Sequence, residues 1–229
     1  MPPVRTGTAS QVDASASSGS ASVTVPSDAT GVVAFWGHWS NNNNSTLSTL
    51  TLNSVSMLPA KSEIAEGATT DEIGVGAAFL ASPSTGSQTL AWAWSAGGAR
   101  VEGGEIVLVY VKDLHASTPY RAAATDVGTG SGDVSVNVSS ETTDLLLAWA
   151  VNSPGGGNPG IDGTVFINNG TVNGEIYDAS EVTPNATSTT VNMTGEQYAG
   201  MAAITLQEAV SQGTSRAIPT LRTPTVYVF

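Results

Sequence analysis

The chain has 229 residues, room for one large all-β domain or two small ones, and seven Lys and Arg against nineteen Asp and Glu give it a net charge of −12. Such a charge repels phosphate backbones and argues against nucleic-acid binding. There is no cysteine, which excludes disulfides and thiolate metal sites, and no apolar run of about 18 residues, so no membrane-spanning helix is expected.

Residues 1–18 are rich in Ser, Ala and Thr and lack the apolar stretch of a signal peptide. They are expected to form an extended N-terminal arm on a chain folded in a cytoplasm. From Ser20 the sequence alternates. In "SASVTVP", Ala21, Val23 and Val25 share one face and Ser22 and Thr24 the other, the pattern of a half-buried strand. "TLSTLTLNSVSM" and "DVSVNV" repeat it. "GVVAFWGHW", "IGVGAAFLA", "TLAWAWS", "EIVLVYV", "DLLLAWAV" and "GMAAITL" are apolar on both faces, short, and bounded by turn residues, as buried central strands are. The one helical turn the sequence suggests lies in "LPAKSEIAEGATTDE", at 58–72.

The opening hairpin is written twice. "SASVTVPSDATGVVAFWGHWS" (Ser20–Ser40) aligns without a gap on "DVSVNVSSETTDLLLAWAVNS" (Asp133–Ser153), so that Val23, Val25 and Trp36 meet Val136, Val138 and Trp149. "SQTLAWAWSAGGARVEGGEIVLVYVKD" has a shorter counterpart in "STTVNMTGEQYAGMAAITLQEA". One half alone would leave a sheet face wet. The expectation is therefore an all-β fold: a two-sheet antiparallel sandwich, jelly-roll-like, with internal pseudo-duplication, spanning 19–209, in which the halves close on each other. Trp36 and Trp149 should then be buried at equivalent places.

No constellation in the sequence points to catalysis. His38 and His115 have no metal-ligand spacing partner and read as packed or surface residues. Glu102 with Glu105, Asp71 with Glu72, and Glu175 with Asp178 do not alternate along an aromatic-lined strand as a sugar-cleaving pair would. "NPGIDG" lacks the spacing of a calcium loop. No enzyme activity, metal or cofactor is expected. Trp39 borders the "NNNN" loop, and with Asn42 and Asn43 it could stack on and hydrogen-bond a sugar.

The last twenty residues, 210–229, differ from the body. No acid follows Glu208, yet Arg216 and Arg222 do, and the chain ends in Val226, Tyr227, Val228 and Phe229. A basic, partly apolar arm on an acidic body suits contact with another subunit, its terminal residues adding a strand to a sheet edge.

Over 19–209 the sequence resembles a β-sandwich domain family of tailed-phage structural proteins and bacterial surface proteins. The likeness rests on a Val-Thr-Val-Pro strand ending at Pro26, a Leu-Thr-Leu hairpin, a Pro83-x-x-Gly86 turn, and Thr118-Pro119 after a long apolar strand. It departs at Asn53-Ser54, where the family tends toward glycines. The resemblance implies a structural virion protein, a capsid decoration or a fibre or tail component. Such a protein would be assembled in the host cytoplasm, with other virion proteins and copies of itself as partners and no nucleic acid or membrane. The alternative is a carbohydrate- or receptor-binding module on the virion, with host glycans as its ligands.

Overall fold

A computed structural model of the chain describes residues 1–40, 46–57, 65–68, 73–95, 101–128, 133–152, 157, 159–172, 175–194 and 199–209. The strands are β1 (Val4–Arg5), β2 (Ser10–Asp13), β3 (Ser18–Val25), β4 (Gly31–Ser40), β5 (Thr46–Leu52), β6 (Val55–Ser56), β7 (Ala65–Ala68), β8 (Ile73–Ala81), β9 (Gly86–Ser95) and β10 (Val101–Lys112). They continue with β11 (Tyr120–Gly128), β12 (Val134–Ser139), β13 (Leu145–Asn152), β14 (Gly160–Ile161), β15 (Thr164–Val172), β16 (Glu175–Val182), β17 (Ser188–Thr194) and β18 (Ala199–Leu206). Among the described residues every regular element is a strand, and all pairings are antiparallel. The helical turn expected at 58–72 is not formed where it is described: Ala65–Ala68 pairs with β8 as a strand. Residues 1–18 are extended, and β1 and β2 join the edge of β10.

The all-β sandwich is present, but with four sheets where two were expected. Sheet I is β3-β9-β5-β6, and sheet II is β1-β10-β4-β8-β7 with β2 also on β10. Sheet III is β11-β18-β13-β16-β15, and sheet IV is β12-β17-β14. Sheets I and II come from the first half of the chain, and III and IV from the second. The wrapping is the same in both. Counting from β2 and from β11, and leaving out the two-residue β6, the first strand (β2 or β11) lies beside the last (β10 or β18), and the second (β3 or β12) beside the seventh (β9 or β17). The third (β4 or β13) sits between the last and the sixth (β8 or β16). This is a jelly roll made twice.

Three core layers separate the four sheets. Val23, Leu50, Leu90 and Trp94 of sheet I pack on Val32, Trp36, Ile106 and Leu108 of sheet II. Val134, Val136, Val191 and Met193 of sheet IV pack on Leu146, Ala148 and Met201 of sheet III. Between them, Val33, Phe35, Val107 and Val109 from the other face of sheet II meet Leu147, Trp149, Tyr177 and Ile204 of sheet III. Each half therefore closes its own sandwich, and the two then stack. The physical reason lies in the strands that are apolar on both faces. β4, β8, β10, β13 and β18 each carry two apolar faces, and a single two-sheet sandwich buries only one of them.

The duplication also shifts by one residue. The offset is 113 from Val23 to Val136, both facing the core of their own half, but 114 from Val32 to Leu146. The turn before β13 is one residue longer. A one-residue slip turns every side chain to the other face. Trp36 and Trp149, matched by the ungapped alignment, are both fully buried, but in different layers. The true counterpart of Trp149 is Phe35.

Asn53 and Ser54 adopt positive φ, 50° and 65°, in the β5–β6 hairpin. A two-residue turn of this kind calls for glycine or asparagine, so the departure at Asn53 is conservative in backbone terms.

Candidate functional site

The region with most polar chemistry is the seam where the chain passes from the first jelly roll to the second and where the last strand ends. β10 stops at Lys112, and Asp113 takes a positive φ of 60° that turns the chain. The connection 113–119 is then knitted to the end of β18. His115 N donates to the Gln207 carbonyl (3.0 Å), Gln207 N to the Pro119 carbonyl (2.8 Å), and Ala209 N to the Asp113 carbonyl (3.2 Å). Leu114 and Glu208 form a bridge. The His115 ring caps its own turn: Nδ1 accepts from the Thr118 amide at 3.0 Å and lies 2.9 Å from its hydroxyl. An accepting Nδ1 leaves the proton of the neutral ring on Nε2.

Beside this seam Arg121, at the start of β11, is clamped by the turn before β13. Its Nε and Nη2 donate to the two oxygens of Asp144 (2.5 and 3.2 Å), and Nη1 lies 3.0 Å from Glu141 Oε1. Asp144 also accepts from the Glu141 amide at 2.8 Å. The bond to Asp144 raises the Arg121 pKa further above its usual range, against the opposing effect of burial. His115, Arg121, Glu141, Asp144, Gln207 and Glu208 line a recess of about 320 Å³. The arrangement fixes Ala209 on the body, with the carboxylates of Glu141, Asp144 and Glu208 lining the recess beside it.

The sequence-predicted residues fall as follows. Arg216, Arg222, Val226, Tyr227, Val228 and Phe229 lie outside the described residues, as do Asn42 and Asn43. The backbone of Trp39 ends β4, opposite Ile73 and Gly103. His38 is buried against Trp94, with ring centroids 4.8 Å apart, and Gly74 opposite leaves room for the imidazole, so of the two placements expected, packed or surface, it takes the packed one. Asp162 of "NPGIDG" accepts from the amide and side chain of Asn192 (2.9 and 2.8 Å), holding β14 to β17. Among the described residues no group of three or more His, Asp or Glu is placed to hold a metal ion.

Sequence reasoning missed a buried polar contact between the halves. Glu105 of β10 and Tyr177 of β16 are each about 1% exposed. The Tyr177 hydroxyl donates to Gln11 Oε1 at 3.1 Å, close beside the Glu105 carboxylate. Burial drives the Tyr177 phenol far above the usual tyrosine range, and the negative Glu105 adds to the shift. The only signal in the sequence was a lone acid at the start of an apolar strand. Compared with known proteins, the chain matches no family model and no curated protein.

Proposed function

We propose that this chain is a structural component of a tailed-phage virion, a capsid decoration protein or part of a fibre or tail, that assembles through the segment following Ala209. The carrying observation is the seam. The end of β18 is bonded to the 113–119 connection on several backbone groups, so the following residues start from a fixed point on the body. Three stacked core layers make that body a stiff unit, since packed interiors transmit displacement rather than absorb it. The resemblance over 19–209 supplies the virion, and the basic, apolar composition of 210–229 supplies the contact.

Deleting residues 211–229 tests this reading. The thermal midpoint of the monomer is expected to change little, because the described residues of the three cores all precede the deletion, while incorporation into particles or oligomers is lost. Normal assembly of the shortened chain overturns the proposal.

A further inference from the structure

The two jelly rolls differ most along one side. In the second half that side is closed. β11 runs next to β12, Gly128 lies against Val134, and the Thr205 hydroxyl donates to the Ser139 carbonyl (2.7 Å) and sits 3.2 Å from that of Ala122. In the first half β2 is only four residues long, and between it and β3 runs an open groove of about 770 Å³. Ser10, Gln11 and Asp13 line one wall, and Ser20, Ser22 and Thr24 the other.

The second wall is a strand edge left open among the described residues. β3 pairs with β9 on one side only. The bond from Trp94 N to the Ser17 carbonyl (2.8 Å) sets the phase of that ladder. Residues 19, 21, 23 and 25 exchange bonds with β9, so Ser20, Ser22 and Thr24 direct their backbone N–H and C=O groups outward. Among the described residues no backbone bond reaches these groups. The groove is also held open. Trp92 Nε1 donates to the Ala16 carbonyl (3.3 Å) and Trp94 Nε1 to that of Ala14 (2.7 Å), pinning the β2–β3 connection. Gly19 is required there, since a Cβ would lie 2.5 Å from the Trp92 ring.

We infer that this edge is an acceptor for an added strand, and that the strand is Thr225–Phe229 of a second copy of the chain. The inference rests on the assembly role proposed above and names its docking site. Strand addition satisfies the outward groups of β3 through main-chain bonds, and a Thr-Val-Tyr-Val-Phe segment has the β-branched and aromatic character that suits it. Arg216 and Arg222 precede the segment, and Asp13 on the groove wall and the −12 body attract them. Each copy carries both the open edge and the segment, so two copies can exchange strands reciprocally. Fifteen residues separate Ala209 from Thr225, Pro219 and Pro224 among them. A spacer of fifteen residues can reach at most about 50 Å, at about 3.3 Å per residue, which allows contact with a neighbouring copy.

Cysteine pairs test the assignment without background, because the full chain has none. Tagged Ser20→Cys chains are mixed with untagged Tyr227→Cys chains and oxidised. A disulfide heterodimer at least tenfold above either homodimer is expected. Ser22→Pro in the tagged chain should abolish it, since proline removes an outward N–H and leaves the β9 ladder whole. Circular dichroism verifies that this variant folds, and the crosslink itself is read independently of it. A chain carrying both cysteines that yields only a closed monomer at every dilution overturns the second-copy assignment. If no crosslink forms although deletion of 211–229 abolishes assembly, the acceptor edge is wrong while the assembly role stands. If the deletion leaves assembly intact, both fall.

Discussion

Phe35 and Trp149 hold the same position in the two jelly rolls, and they stack on each other, with ring centroids 6.2 Å apart and planes 6° from parallel. Equivalent residues of a repeated unit touch each other at a two-fold axis. Other contacts obey the same relation: β7 lies against β18, and its counterpart β15 against β10. The chain thus contains its own dimer. The side chains break the symmetry. By strand register Val75 corresponds to Tyr177 and Gly200 to Glu105. Val75 packs tightly on Gly200, while Tyr177 and Glu105 form the bulky polar contact on the other side.

The Phe35–Trp149 stack should be a shared unit of stability. Phe35→Ala and Trp149→Ala are each expected to cost about 3–5 kcal/mol. The double variant should fall short of the sum by about 0.5–1.5 kcal/mol. Urea unfolding of the four proteins measures the coupling, and strict additivity would contradict it.

The two halves should not separate. A fragment ending at residue 123 would expose Val33, Phe35, Val75, Val107 and Val109, which sheet III covers in the whole chain. It should aggregate, and the full chain should unfold in one calorimetric transition. A soluble, cooperatively folding fragment would count decisively against the central layer as a structural core.

Close approach at Gly200 should be strict. A Cβ there would lie 2.5 Å from Val75 Cγ1. Gly200→Ala is expected to destabilise by about 1–3 kcal/mol through overpacking, and Val75→Ala in the same chain should recover part of that loss. Equal effects with and without the second change would rule out this contact as the cause.

Burial raises the phenols of Tyr110 and Tyr177, with Glu105 adding to the second. Both hold their protons to higher pH in the folded chain than in the unfolded chain, which ionises them near the ordinary value of about 10. Their contribution to stability is therefore complete below that pH and is lost as pH rises through their raised folded values. In an alkaline titration of phenolate absorbance these two should ionise at higher pH while the chain is folded than after it is unfolded in denaturant. Tyr177→Phe should remove one late-titrating group.

The Lys112–Asp28 pair, 2.8 Å apart at the surface, should set a shallower dependence. The bond from Lys112, aided by Thr6, lowers the Asp28 pKa, and the bond to Asp28 raises that of Lys112. The aspartate contribution is present above the ordinary carboxylate range and fades as pH falls through its lowered value. The lysine contribution is present below the ordinary lysine range and fades as pH rises through its raised value. Asp28→Asn should flatten the acid limb of the stability curve in low salt and have less effect in high salt.

The strands and the duplication were legible in the sequence, because period-two alternation and turn residues are local properties of the chain. The acidic balance and the contrast of 210–229 with the body were equally plain. What the sequence could not decide was which faces meet. Strands apolar on both sides are compatible with one sandwich or with a stack, and only the third layer around Phe35 and Trp149 distinguishes them. The extra residue in the turn before β13 leaves the repeat easy to recognise, yet it moves Trp149 out of its own half and into the seam between the halves. Glu105 with Tyr177, Arg121 with Asp144, and the open edge of β3 beside β2 each join residues distant along the chain. Their pairing follows from sheet order and register, which are set by long-range packing and leave no local mark on the residues themselves.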